Sequence, residues 1–261
     1  DITANECKYL LGREVTRVTP NGFENDFVPE AKELAKKREE ARKKLLEVAT
    51  ATWDYNFQAD TLIVGTSGRY EYRNKGIDVF LESLKQLAAS NLNRDVLAVI
   101  AVPAANTGAR QDLIKHLENK EVAVDPVQKR YLSHGLENEM WDQVSQSVEG
   151  SILYTSASRV KVLFIPTYLN GQDGIFNMPY YDLLTANDLC LYPSYYEPWG
   201  YTPLESCAFK APCITTDLSG FGQWVNDVLG YQGELSDGVK VIHRDDDNYF
   251  DVSREMCEAI E

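Results

Sequence analysis

Cysteine and histidine are scarce in this sequence, and no two cysteines stand in a Cys-x-x-Cys pair. The five cysteines are Cys7, Cys190, Cys207, Cys213 and Cys257. An odd count without paired spacing argues against a disulfide framework or a zinc site and fits a reducing cytosol. Most of them read as small buried hydrophobes. His116, His134 and His243 have no metal-ligand spacing, so each reads as a surface or packing residue. Basic charge is also in short supply: 26 Lys and Arg face 40 Asp and Glu, for a formal net charge of -14. That excludes a general nucleic-acid surface and an anionic-membrane surface. A small phosphate ligand is still served by a few local cations. No apolar run reaches membrane-spanning length and no signal peptide opens the chain, so a cytoplasmic location is expected. The first residue is Asp1, as expected of a segment of a longer or processed polypeptide.

What is present is core-forming sequence. Hydrophobic residues make up 44% and charged residues 25% of 261, enough for one large domain or two small ones. Thr19-Pro20-Asn21-Gly22-Phe23 has turn chemistry, with Asn-Gly expected to supply positive φ. The charged stretch from Glu30 to Val48 carries Leu34, Ala41, Leu45 and Val48 near helical spacing. It predicts a long, largely solvated helix laced by i,i+4 pairs. From Thr61 onward, short apolar runs alternate with helical segments. Strands are predicted at 61–66, 96–102, 160–165, 188–192, 212–215 and 239–242. Helices are predicted at 76–88, 107–117, 180–184, 203–209, 221–229 and 249–260. Alternation with continuous apolar strands indicates an α/β fold with a parallel sheet covered by helices on both faces. One segment breaks the rhythm. Leu132, Leu136, Met140, Val144 and Val148 recur every four residues and predict a helical insertion near 121–157. It either packs on its own domain or contacts a second copy of the chain.

Ligands on such sheets bind beyond the carboxyl ends of the strands, so the loops that follow strands carry the functional expectation. The first is Gly65 to Gly76, which holds Arg69 and Lys75. Its glycines allow close backbone approach and its cations suit a diphosphate. The spacing is neither a dinucleotide fingerprint nor a Walker loop. A surface loop with two solvated cations is an equal reading of these residues alone. The second is Tyr195-Tyr196-Glu197-Pro198-Trp199-Gly200-Tyr201-Thr202-Pro203-Leu204-Glu205. Thr202 as N-cap, Pro203 at the first helical position and Glu205 at the third would make a capping box, which gives Glu205 a purely structural job. The same helix start would also suit a phosphate. Glu197 has no capping job and is the better functional candidate. Trp199 is either core or the wall of a sugar site. The third loop, Asp217 to Gly222, is an ordinary glycine-rich turn into a helix.

Taken together, these motifs resemble the animal- and fungal-type glycogen synthases, retaining glycosyltransferases of the GT-B fold. Gly68 to Gly76 looks like their phosphate-gripping loop. Tyr192 to Pro203 matches their signature with two glutamates separated by seven residues. Leu218-Ser219-Gly220-Phe221-Gly222 is similar to the loop that follows it, and Thr19-Pro20-Asn21-Gly22 resembles the segment leading from the N-terminal domain. The correspondence spans nearly the whole chain. It implies a Rossmann-like C-terminal half of a GT-B enzyme, with residues 1–58 as lead-in and interdomain helix and 59–261 as the nucleotide-sugar-binding domain. The N-terminal domain and the closing C-terminal helix of such an enzyme would lie outside this chain.

The resemblance implies roles residue by residue. Arg69 and Lys75 hold the UDP diphosphate and stabilise its charge as it leaves. Glu197 contacts the transferring glucose. Trp199 and Gly200 belong to the donor-site signature, Tyr201 and Thr202 meet the phosphates, and Glu205 binds the ribose hydroxyls. Tyr180 stands where the family places an aromatic residue against the uracil. The implied partners are UDP-glucose and glycogen or another α-glucan, with no metal and no other cofactor. ADP-glucose is the competing donor. Two other functions compete: a non-catalytic nucleotide- or glucan-binding module, and a related GT-B synthase with a different acceptor.

Overall fold

Six parallel strands form the centre of the computed structural model, which describes residues 2–261. In chain order the strands are β1 (Leu62–Ser67), β2 (Val96–Ala101), β3 (Asn106–Ala109), β4 (His134–Leu136), β5 (Val160–Ile165), β6 (Leu189–Tyr192), β7 (Cys213–Thr216) and β8 (Val239–Ile242). The helices are α1 (Ile2–Leu11), α2 (Ala31–Trp53), α3 (Ile77–Ala89), α4 (Gln111–Glu118), α5 (Gln143–Glu149), α6 (Tyr180–Leu184), α7 (Tyr201–Ala208), α8 (Gly220–Leu229) and α9 (Tyr249–Ile260). The main sheet runs β5-β2-β1-β6-β7-β8, and β3 and β4 make a separate antiparallel pair. Strand order reverses between β1 and β6. That switch point opens a crevice at the carboxyl edge, between the loops that follow these two strands.

The apolar runs explain the layering. Successive strand residues point to opposite faces, so a strand buried on both sides must be apolar throughout. Every residue of β5 and β6 is buried. In β1, Val64 joins the layer under α3 and α9, while Ile63 joins the layer under α2. A third cluster holds β6, β7 and β8 against α7 and α8. The six predicted sheet strands are present, each within a residue of its expected bounds. Among the described residues, no helix is long and apolar enough to cross a membrane.

Four expectations are corrected. The charged helix runs on to Trp53, and its second half is buried rather than solvated: Ala41, Leu45, Val48, Ala49 and Ala51 pack on Ile63, Leu97, Val99, Leu163 and Ile165. Its cations also reach across rather than only along the helix. Arg38 and Arg42 share Asp188 at 2.6 and 2.8 Å, and Lys37 meets Asp182 at 2.8 Å. The expected 121–157 helical insertion is mostly not helical. It contains β4, two single 3-10 turns at Glu139–Trp141 and Ile152–Tyr154, and only the seven-residue α5. The four-residue stripe arises from separate tertiary pairings. Leu132 bridges Phe164, Leu136 pairs with Asn106, and Val144 and Val148 enter the core, while Met140 is 77% exposed. Gly135 interrupts any helix there, and a Cβ on it would stand 2.4 Å from Thr107 Oγ1 across the hairpin.

The third correction is the helix expected at 107–117, which starts at Gln111. Residues 106–109 are strand instead, with Gly108 at φ +97. The fourth is the turn at 19–23, where neither Asn21 nor Gly22 adopts positive φ.

Candidate functional site

Loops from β1, β6, β7 and β8 meet at the carboxyl edge of the sheet. The first loop leaves β1 at Ser67 and enters α3 after Gly76. It is bound to the second loop through backbone groups. Tyr195 N–H donates to the Asn74 carbonyl at 2.9 Å, and Tyr196 N–H donates to it at 3.3 Å. Gly76 lies at φ +70, and a Cβ there would come within 1.9 Å of the Pro193 carbonyl oxygen. Both the dihedral and the contact demand glycine. Gly76→Ala is therefore expected to cost at least about 2 kcal/mol of folding stability, because a backbone clash adds to an unfavourable φ. Chemical denaturation of the variant measures this, and a midpoint equal to wild type would contradict the close approach.

The third loop supports the second. Gly220 N–H donates to the Glu197 carbonyl at 3.0 Å, and Phe221 N–H donates to the Trp199 carbonyl at 2.7 Å. Ser219 caps α8 by accepting from Gly222 N–H at 2.9 Å. Its glycines thus serve close packing: a Cβ on Gly220 would lie 2.2 Å from the Pro198 carbonyl oxygen. The loop after β8 adds Arg244, which sequence reading missed. Arg244 is buried, donates to the Pro193 carbonyl and lies 5.2 Å from the centre of the Tyr195 ring. Its backbone N–H donates to Asp217 at 2.9 Å. A charged run, His243 to Asp247, directly after a strand was the available signal.

A cleft of about 490 Å³ lies beside these loops. Ser67, Gly68, Arg69, Tyr180, Thr202 and Glu205 line it, together with the loop at 167–170 that follows β5. Four predicted site residues thus converge there. Arg69 is 76% exposed and pairs with Glu71 at 3.1 Å, which leaves most of its guanidinium open to a ligand in the cleft. Tyr180 opens α6, and its hydroxyl lies 2.7 Å from Ser67 Oγ. Burial raises the Tyr180 hydroxyl pKa well above its ordinary value, which keeps it neutral.

Glu205 corrects the capping reading. Helix α7 begins at Tyr201 with Gly200 as its N-cap, at φ 110, and no side chain caps it. Thr202 and Glu205 are therefore inside the helix and form no capping box. A Cβ on Gly200 would crowd Pro203 at 3.2 Å and Glu197 at 3.4 Å, so the glycine allows the sharper entry. Glu205 faces the cleft and accepts from the Tyr181 hydroxyl at 3.0 Å. Burial raises its carboxyl pKa above the ordinary value, and the bond from Tyr181 opposes that shift. Tyr181 itself stacks on Phe209 at 4.8 Å, and burial with the adjacent Glu205 pushes its hydroxyl up to about 12.

Lys75 and Glu197 form an ion pair at the junction of the first and second loops. Their side chains are 17% and 14% exposed. They stand beside the cleft, not in its lining. Trp199 turns away from it. The side chain is 9% exposed, packs on Phe221 and Trp224, and borders a different hollow under residues 3–21. Its expected role as a sugar wall is not supported by this placement: the apolar surface of α8 draws the indole inward. Tyr201 is 52% exposed at the start of α7 and does not line the cleft. Among the described residues no cluster of three or more His, Cys, Asp or Glu is placed to hold a metal ion.

One groove thus gathers the exposed cation of Arg69, Thr202 from the first turn of α7, the half-buried Glu205 carboxylate and the Tyr180 hydroxyl, with the Lys75–Glu197 pair beside it. The sequence profile described as glycogen synthase matches residues 1–129 and 122–260. Glycogen (starch) synthase isoform 1 of Saccharomyces cerevisiae is 28% identical over 307 aligned positions, covering 93% of this chain and 43% of the yeast protein. Glycogen (starch) synthase of Neurospora crassa is 28% identical over 301 positions, covering 93% and 42%. The liver glycogen (starch) synthase of Mus musculus is 26% identical over 281 positions, covering 87% and 40%. The chain thus spans less than half the length of these curated relatives.

Proposed function

The chain belongs to the glycogen synthase family, and from that premise we propose that it is the donor-binding part of an enzyme transferring glucose from UDP-glucose to the non-reducing end of an α-1,4-glucan with retained configuration. The observation that carries this reading is the Lys75–Glu197 ion pair beside a cleft lined by Arg69, Thr202 and Glu205. A non-catalytic nucleotide binder has use for the cations and for Glu205. It has no use for a second, largely buried carboxylate held at the mouth of the phosphate loop.

In this reading the diphosphate lies between Arg69, Lys75 and the first turn of α7 at Tyr201 and Thr202. Charge neutralisation is assigned to these groups rather than to a metal ion. Glu205 accepts from the ribose hydroxyls, and Tyr180 lies against the base. When the anomeric C–O bond breaks, its electron pair goes to the β-phosphate oxygen and the sugar takes on oxocarbenium character. Lys75 and Arg69 stabilise the departing anion, an effect worth ~3 kcal/mol per well-placed donor. The acceptor 4-hydroxyl forms the new bond on the same face and passes its proton to the leaving phosphate oxygen. Glu197 lies against the glucose and balances its developing positive charge. The test is transfer from UDP-glucose onto glycogen by the whole protein that carries this chain, with ADP-glucose and small sugar acceptors in parallel. Transfer to glycogen supports the reading. Failure with glycogen alone points to another acceptor, and failure on every acceptor overturns it.

A further inference from the structure

We propose that Cys207 and Cys213 are an oxidation site, closing to a reversible disulfide under a hydroperoxide. The inference stands apart from the reading of the cleft. Cys207 lies near the end of α7 and Cys213 opens β7, and their sulfurs are 3.7 Å apart. The short connection between them is fixed by its own backbone bonds. Phe209 N–H donates to Glu205, Lys210 to Cys207 and Ala211 to Ser206, at 3.0, 3.0 and 2.9 Å. Lys210 adopts φ +63, which folds the chain back on itself. The two thiols are therefore held facing each other by the turn rather than meeting by chance motion.

The two sulfurs differ in a way that orders the chemistry. Cys213 is fully buried, and its S–H has two acceptors in reach, the Pro203 carbonyl and the Cys207 sulfur, each at 3.7 Å. Cys207 is partly exposed, so it is the one a small oxidant meets. The hydrogen bond from Cys213, with Lys210 nearby, lowers the Cys207 pKa below the ordinary thiol value. A Cys207 thiolate attacks one peroxide oxygen. The O–O bond breaks, Cys207 becomes a sulfenic acid, and hydroxide leaves to be protonated to water. Cys213 sulfur then attacks the sulfenic sulfur, the S–S bond forms at about 2.05 Å, and the hydroxyl departs with the Cys213 proton as a second water. Two thiols and one peroxide give one disulfide and two waters, a two-electron oxidation.

The sequence supplies its own readout. Lys210 lies between the two cysteines, and trypsin cutting after Lys161, Lys210 and Lys240 puts Cys207 in fragment 162–210 and Cys213 in fragment 211–240. Folded protein is treated with hydrogen peroxide, its remaining thiols are alkylated, and it is digested without reductant. The two fragments are expected to run as one linked species, two hydrogens lighter than their sum and separated by dithiothreitol. Fragment 162–210 also holds Cys190, so two variants assign the bond. The link is expected to vanish in Cys207→Ser and persist in Cys190→Ser. Separately alkylated fragments from peroxide-treated wild type would overturn the proposal, as would a link that survives Cys207→Ser.

Discussion

Replacing Lys75 with alanine is expected to lower glucose transfer by the whole protein on the order of 100- to 1,000-fold and to weaken UDP binding by the chain about tenfold or more. Two effects add. The variant loses a largely buried cation that the proposed reading assigns to the diphosphate, and one charge-assisted contact of this kind is worth roughly 1.5–3 kcal/mol. It also strips Glu197 of its ion-pair partner, leaving an uncompensated carboxylate beside an incoming dianion. Arg69 is not expected to replace it, since its guanidinium is exposed and paired with Glu71. Lys75→Arg tests the geometry. A guanidinium is larger and planar and pairs with a carboxylate as a fork, so it is expected to hold Glu197 differently and to restore binding only in part.

Glu197→Ala is expected to separate binding from chemistry. Transfer should fall by about 100-fold or more, because a preorganised charge at the reacting sugar is lost. UDP affinity should hold or rise. Lys75 no longer divides its charge between a carboxylate and a phosphate, and a like-charge neighbour of the diphosphate is gone. The two substitutions break the same ion pair, yet they should move nucleotide affinity in opposite directions. Loss of UDP affinity in Glu197→Ala would show that the pair acts by holding the first and second loops together. Glu197→Gln, which keeps the shape without the charge, should behave as Glu197→Ala does.

The sheet was legible because its strands are buried on both faces and so read as unbroken apolar runs. The three motif loops were legible because each follows such a strand. The boundaries of α7 were not. Thr202, Pro203 and Glu205 satisfy the capping pattern, but Gly200 takes the positive φ that lets the helix begin earlier. Beginning two residues earlier moves Glu205 past the first turn, where it faces the cleft. The stripe from Leu132 to Val148 misled for a different reason. A period of four residues also arises when a loop, a short strand and a short helix send Leu132, Leu136 and the pair Val144 and Val148 into the same core, although Met140 between them stays exposed. Long-range partners were hidden as well. Arg244 on Pro193 and Tyr181 on Glu205 join segments far apart in sequence, and the charged run that marks Arg244 does not name its partner. Trp199 shows the limit of motif reading. Its place in a motif does not fix where the side chain points, and the apolar face of α8 decides that instead.

The most direct measurement is a calorimetric titration of this chain with UDP and with ADP, repeated for Lys75→Ala and Glu197→Ala. The account predicts UDP binding tighter than ADP binding, weakened by Lys75→Ala and unchanged or strengthened by Glu197→Ala. A folded chain that binds neither nucleotide, or binds UDP equally well without Lys75, would contradict the assignment of this cleft as the diphosphate site.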